Sequence, residues 1–289
     1  MLISRRPEGL VLVTQLEHAR VAGWLAEAWG NEAFALGPAR TSLATAATRH
    51  DDGWQTLDGA PVVFADGGRP AHFLELPLED TVGPYGEGVD RIYDDDIYAG
   101  VLASMHWSGL YSSRWGLQDS PPVEHPLAIA VVDAEEQRVA RHARELWAQH
   151  GGLRSAFEAE LWRDYEILQA LDVISLALCL LDTTAPSARD APVVAMAATL
   201  RGIVQPPGGR SVGAVPASKG RHVELALQVI EPHVVAIDPF PLARSGLECR
   251  IAARRMADER FADQATAVAA YHAAERVSLA ITLVSSGDS

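Results

Sequence analysis

An acid stands in the most apolar stretch of this chain, and that placement limits the fold more than any other feature. Asp172 sits inside LQALDVISLALCLL, residues 168–181, with Leu168 and Leu176 one helical turn away on either side. A buried carboxylate is costly unless a cation or hydrogen-bond donors meet it. Two solutions are open for Asp172 taken alone. An arginine or backbone amides can clamp it, or a metal ion shared with other side chains can.

Three further helical patterns send polar ligand-type residues inward. Gly9 to Thr14 reads as a short strand, and Thr14 with Glu17 has the spacing of a capping box that opens a helix. Leu16, Ala19, Ala22, Leu25, Ala26 and Trp29 recur at helical spacing, and Gly30-Asn31 ends the element. His18 shares the face of Ala22 and Leu25. A second helix is expected from about Thr41 to Asp51, stopping at Gly53. His50 falls there on the face of Leu43 and Ala47, with Asp51 beside it. A third begins near Asp94-Asp95-Asp96, where acids complement the helix N-terminal dipole. Its apolar face is Ile97, Val101, Leu102, Met105 and Leu110, and His106 lies between the last turns of that face.

Each of these residues alone reads as an ordinary core histidine or a solvated helix-end acid. Four helices that each present a His or an Asp inward favour a shared cation. Imidazole and carboxylate together suit Fe, Mn, Zn, Co or Ni rather than Ca. The expected ligands are His18, His50, Asp51 and Asp172, holding one or two divalent ions, with His106 as a further ligand or a catalytic group.

The rest of the chain gives a coarse outline. Residues 55–93 are rich in Gly, Pro and Asp and read as a long irregular connection, a length that usually carries function or covers a site. A Pro-rich break at 121–126 precedes a charged helix, capped by Asp133 and Glu136, that runs to about His150. Gly151-Gly152 separates it from a long helix over roughly 154–182. Residues 183–222 read as a linker rich in Pro, Gly, Ser and Arg. Strands are expected at His222–Ile230, His233–Asp238, Leu247–Ala253 and Arg276–Val284, with a helix near 262–274 and a turn at Pro239-Phe240-Pro241. The fold class is therefore α+β, mainly α. A helical metal-binding domain over 1–182 is followed by the linker and by a smaller antiparallel β unit with one helix over 223–289.

Composition narrows the function classes. With 289 residues and 48% hydrophobic content the chain can bury a large core. The net charge of −14 opposes a nucleic-acid backbone, so DNA and RNA binding is not expected. Cys179 and Cys249 read as thiols outside any disulfide framework or thiolate metal site. The N-terminal stretch lacks a signal-peptide apolar region, and the run from Ile167 to Leu181 is short for a bilayer span and carries Asp172. A cytoplasmic protein acting on a small molecule, without a membrane partner, is expected, and homo-oligomerisation stays open.

The order His, His-Asp, distant Asp resembles the HD-domain superfamily of metal-dependent enzymes. The chain is more closely similar to an uncharacterised bacterial family, a domain of unknown function. The matching pieces are Gln15-Leu16-Glu17-His18-Ala19, His50-Asp51-Asp52-Gly53-Trp54, Tyr98-Ala99 leading to Ser104-Met105-His106, and Leu168-Gln169-Ala170-Leu171-Asp172 leading to Ser175-Leu176. Ile237-Asp238-Pro239-Phe240-Pro241 extends the similarity into the sheet unit. The resemblance implies an HD-like helical bundle. Gln15, Trp54, Tyr98, Trp107 and Gln169 are the candidate substrate-binding residues, with plain packing the other reading of the three aromatic ones. Beside the dyad, Asp52 reads as a general base, as a partner of a ligand histidine, or equally as a solvated surface acid.

The superfamily implies phosphohydrolase chemistry first, in which a metal lowers the pKa of an attacking water. A minority are di-iron oxygenases with two extra histidines; His106 suits one place, and His72 or His125 the other. A third reading is a non-catalytic binding protein. One departure weakens a phosphate ester as substrate. Many HD enzymes place a lysine shortly after the dyad, whereas this chain has Asp52-Gly53-Trp54 there. Arg49, Arg69, Arg91 and Arg114 are the cations that remain to bind an anion.

Overall fold

A computed structural model describes residues 1–63, 68–112, 123–185 and 211–288. Its mixture of helix and strand agrees with an α+β chain in which helix predominates.

The chain opens with a hairpin of β1 (Leu2–Arg6) and β2 (Gly9–Val13) and then enters α1 (Gln15–Ala28). The Thr14 hydroxyl accepts from the Glu17 amide at 3.1 Å, as a cap should. The reciprocal half of the expected capping box is absent. The Glu17 carboxylate instead accepts from the Ala252 amide at 2.7 Å and from Arg20, so it ties the helix to the sheet. Past the helix end, the Asn31 amide donates to the carbonyls of Phe240 and Leu242. That pins α1 to the 239–242 turn.

Next comes α2 (Arg40–Arg49), whose buried face is Leu43, Ala46 and Ala47. His50 closes it, and a 3-10 turn at Asp52–Gln55 follows directly. The expected irregular connection over 55–93 contains instead an 18-residue helix, α3 (Leu78–Asp95). It forms despite Pro84 and three glycines, because Tyr85, Val89, Ile92 and Tyr93 make a buried helical stripe. Glycine there serves contact. A Cβ on Gly88 would sit 2.3 Å from the Gly53 amide nitrogen, and one on Gly53 would sit 2.4 Å from Tyr85 Cα.

Asp96 then caps α4 (Ile97–Tyr111), its side chain accepting from the Ala99 amide at 3.0 Å. Nearly all of α4 is buried, although Ile97, expected on its inner face, is exposed. The charged helix α5 (Pro126–His150) starts at Pro126, capped by His125, rather than near Asp133. Gly151, in a left-handed conformation with φ +71°, ends it. The long α6 (Arg154–Leu180) is buried on every side along its second half. It packs against α1, α2 and α4 and forms the centre of the core.

The remaining strands are β3 (Ser211–Ala217), β4 (Arg221–Glu231), β5 (Val234–Asp238), β6 (Leu247–Met256) and β7 (Glu275–Ser285), with α7 (Gln264–Ala273) before the last. β3 falls within the stretch expected to be linker, of which residues 186–210 lie outside the described residues. The sheet has seven strands in the order β1-β2-β6-β7-β5-β4-β3. It is not wholly antiparallel, because β5 pairs parallel with β7. Its strands also come from both ends of the chain, since β2 pairs with β6. The N-terminal hairpin reaches the central helix too, where the Ser4 hydroxyl donates to the Leu180 carbonyl at 2.9 Å. No helix among the described residues is long and apolar enough to cross a membrane.

Candidate metal centre

Three helices bring two imidazoles and two carboxylates together in the core. α1 supplies His18, the end of α2 supplies His50 and Asp51, and α6 supplies Asp172; all four are buried. The two Nε2 atoms of His18 and His50 lie 3.2 Å apart. Asp172 Oδ1 is 2.9 Å from His18 Nε2 and 3.5 Å from His50 Nε2. Asp51 Oδ2 is 3.7 Å from each of the same nitrogens. One ligand atom each of His18, His50 and Asp51 falls within 4.8 Å of the others, close enough for one ion.

The outward nitrogens decide what the inward ones can do. His50 Nδ1 is 2.9 Å from the Ala47 carbonyl, which can only accept, so Nδ1 carries a proton. The Ser175 hydroxyl donates to the Asp172 carbonyl at 2.8 Å, which leaves its oxygen to accept from His18 Nδ1 at 2.8 Å. Both rings are thereby held with Nε2 facing the carboxylates. Two lone pairs cannot face each other at this distance without a proton or a cation between them. An acceptor on the outer nitrogen of a histidine is also the usual arrangement at metal sites. Asp51 is held likewise, with its Oδ1 accepting from the Tyr85 hydroxyl at 3.0 Å and its Oδ2 turned inward.

The buried groups shift one another's protonation. Burial pushes the His50 imidazole down, but Asp51 and Asp172 together outweigh it and lift His50 to about 9. Burial pushes Asp172 up, yet its hydrogen bonds to His18 and His50 and the charge of His106 bring it well below the usual carboxylate range. Asp51 is raised, chiefly by burial. Burial and the mutual contacts of His50, Asp51 and Asp172 set these directions.

A cavity of about 190 Å³ opens onto this cluster. His18, Asp51, His106 and Asp172 are among its lining residues. Trp54, Phe73, Leu76, Leu110, Tyr111 and Leu176 form much of the wall. His106, from α4, has its ring centre 4.8 Å from that of His50. Gln15 and Trp54, expected at a substrate site, both line the cavity.

Other expected site residues are placed elsewhere. Tyr98 donates to Asp164 at 2.9 Å, Trp107 stacks on Tyr85 with ring centres 5.3 Å apart, and Gln169 is buried in α6; the described lining includes none of them. Asp52 faces outward, where its carboxylate accepts from Arg49 at 2.7 Å and its carbonyl accepts from Arg91 at 2.8 Å. His72 caps the 3-10 turn at Phe73–Glu75, its Nδ1 accepting from the Leu74 amide, and burial lowers it to about 4. His125 caps α5 and lies 3.5 Å from Glu79. Arg49 also pairs with Asp95, and Arg69 with Glu75. Arg114 lies outside the described residues.

Tyr85 and Ser175 have no role that the sequence announces. Tyr85 is hidden in a glycine-rich segment. Ser175 stands three positions after Asp172 on an inward face, which is a readable signal only once His18 is known to approach from another helix.

Residues 1–258 match the family described as "Protein of unknown function (DUF3891)". No curated protein and no solved structure matches the chain.

Proposed function

We propose, for a chain that belongs to the DUF3891 family of unknown function, a metal-dependent hydrolase of a small molecule with an HD-type centre. His18, His50, Asp51 and Asp172 hold one divalent ion of Fe, Mn, Co, Ni or Zn. The observation that carries this reading is the 3.2 Å approach of the two Nε2 atoms, with both Nδ1 atoms committed to acceptors. The order of the four residues along the chain is that of the HD type.

An ion held there supplies Lewis acidity and lowers the pKa of a water molecule. Ser175 and the Ala47 carbonyl keep the imidazoles in the ligating tautomer. The Tyr85 hydroxyl opposes the rise of Asp51 and holds its other oxygen inward. His106 sits at the boundary between the cluster and the cavity, where it can take or return a proton at the substrate. The apolar wall keeps bulk water away, which strengthens each of these electrostatic contacts.

The di-iron oxygenase alternative requires two more histidines beside the cluster. His106 is near enough to count as one, while His72 caps the Phe73–Glu75 turn through Nδ1 and His125 caps α5 beside Glu79. The single-ion hydrolase is therefore preferred.

Elemental analysis of protein purified from metal-replete medium, with anomalous diffraction at the cluster, tests the proposal. One transition ion per chain, lost in His18→Ala and Asp172→Asn, is the expected result. Two irons per chain would favour oxygenation. A metal-free wild type that binds none of Mn, Fe, Co, Ni or Zn on titration would overturn the proposal in favour of a structural cluster.

A further inference from the structure

The geometry points to a neutral ligand with an apolar body and one hydrogen-bonding end, seated on Gln15, rather than to a phosphate ester. This inference rests on the reading of the cluster as a divalent metal centre.

Charge balance comes first. Asp51 and Asp172, ionised at a metal, supply two negative charges, and these already neutralise a divalent ion. A phosphate dianion would bring two more into a largely apolar cavity. Desolvating them is expensive without cations to meet them. The described lining contains no lysine or arginine. Arg49, Arg69 and Arg91, the described arginines with a case for binding an anion, are engaged with Asp52, Asp95 and Glu75. The net charge of −14 also repels an approaching anion.

Gln15 supplies the polar half of the site. It occupies the first position of α1, one turn before His18, and is 2% exposed. Its side-chain oxygen is buried without a hydrogen-bond partner among the described residues. Buried polar atoms are nearly always paired, so an orphaned acceptor in a cavity wall marks where a ligand or displaceable water binds. Among the lining hydroxyls, Thr81 donates to the Leu78 carbonyl and Tyr85 to Asp51. An N–H or O–H of the ligand therefore meets Gln15 Oε1. Its body lies against Trp54, Phe73 and Leu176, with the intervening group toward the metal ligands. Neutral carboxamides and related acyl compounds carrying an aryl or alkyl group have this shape.

Three probes that share a phenyl ring separate the possibilities: benzamide, ethylbenzene and phenyl phosphate. Their binding is measured by calorimetry on the full chain, both metal-free and loaded with Mn or Zn. Benzamide should bind at least about tenfold more tightly than phenyl phosphate, and Gln15→Leu should weaken benzamide by about tenfold, roughly one hydrogen bond to a buried acceptor. Ethylbenzene should bind both proteins alike. Equal or tighter binding of phenyl phosphate overturns the inference. So does unchanged benzamide affinity in Gln15→Leu, or no binding of benzamide at all. Should Gln15→Leu not fold, the ranking on the wild type decides. If the metal-free protein ranks the probes as expected while elemental analysis finds no ion, the hydrolase reading fails and the ligand class stands. If a metal-bearing protein prefers phenyl phosphate, the ligand class fails and the metal centre stands.

Discussion

The Ser175 hydroxyl and the Nδ1 atom of His18 lie 2.8 Å apart across 157 positions of sequence. The same hydroxyl donates to the Asp172 carbonyl, so one small side chain fixes the tautomer of one proposed ligand and the helix turn that carries another. Ser175→Ala leaves the His18 N–H without its acceptor and frees the ring to swap tautomers. Metal affinity should fall roughly ten- to a hundredfold, as when other outer partners of metal ligands are removed. Competition against a fluorescent chelator measures this. An unchanged affinity would mean that His18 is not a ligand.

Tyr85 acts on the other side of the cluster. Burial raises Asp51, and the Tyr85 hydroxyl opposes that rise. In Tyr85→Phe the stacking on Trp107 is kept and only the hydrogen bond is lost. Asp51 should then stay protonated to higher pH, and the pH at which metal binding is half-complete should move upward. Global stability should change by about 1 kcal/mol or less. Titrations of metal binding across pH for both proteins check the direction.

How much of this is legible in the sequence depends on the kind of signal. Period-3.6 patterns put His18, His50 and Asp172 on inward faces, because apolar neighbours one turn away mark the face whatever the partners are. Asp52 shows the opposite case. It adjoins Asp51, yet the turn that begins there rotates it toward Arg49, and no periodicity crosses a helix end. Helix α3 is unreadable because Gly83, Pro84, Gly86 and Gly88 are breakers by local propensity, whereas tertiary contact with Gly53 uses the lack of side chains. Strand β3 and the pairing of β2 with β6 depend on partners far along the chain, which local patterns do not encode. Gln15 is readable as polar, but its missing partner emerges only once the cavity is built.

That contact between Gly88 and Gly53 predicts a sharp steric effect. A methyl group on Gly88 would lie 2.3 Å from the Gly53 nitrogen and 2.7 Å from its Cα, and backbone cannot swing away as a side chain can. Gly88→Ala should cost about 3 kcal/mol, at the upper end for overpacking, and should shift the turn after Asp51. Gly59→Ala, where the nearest atom is the Thr56 carbonyl oxygen at 3.7 Å, should stay within about 0.5 kcal/mol. Urea denaturation of the two variants makes the comparison. Equal stabilities would show that α3 does not press on the 52–55 turn.

Protons and metal compete at His50. In the metal-free protein His50 is raised to about 9, because Asp51 and Asp172 more than offset its burial. A folded-state value above the ordinary histidine value of about 6.5 stabilises the fold fully below pH 6.5. That stabilisation is lost as pH rises through 9, since the folded state then gives up a proton that the unfolded state has already released. The metal-free protein should therefore become less stable between about pH 6.5 and 9. A bound ion requires neutral His50 and so reverses the sign, because protons then compete only at low pH. The gap in melting temperature between metal-loaded and metal-free protein should widen as pH rises across this window. Thermal melts with and without EDTA measure it. His50→Gln should flatten the metal-free curve and abolish the gap. A gap that narrows with rising pH in the wild type would mean that His50 does not give up its proton to an ion.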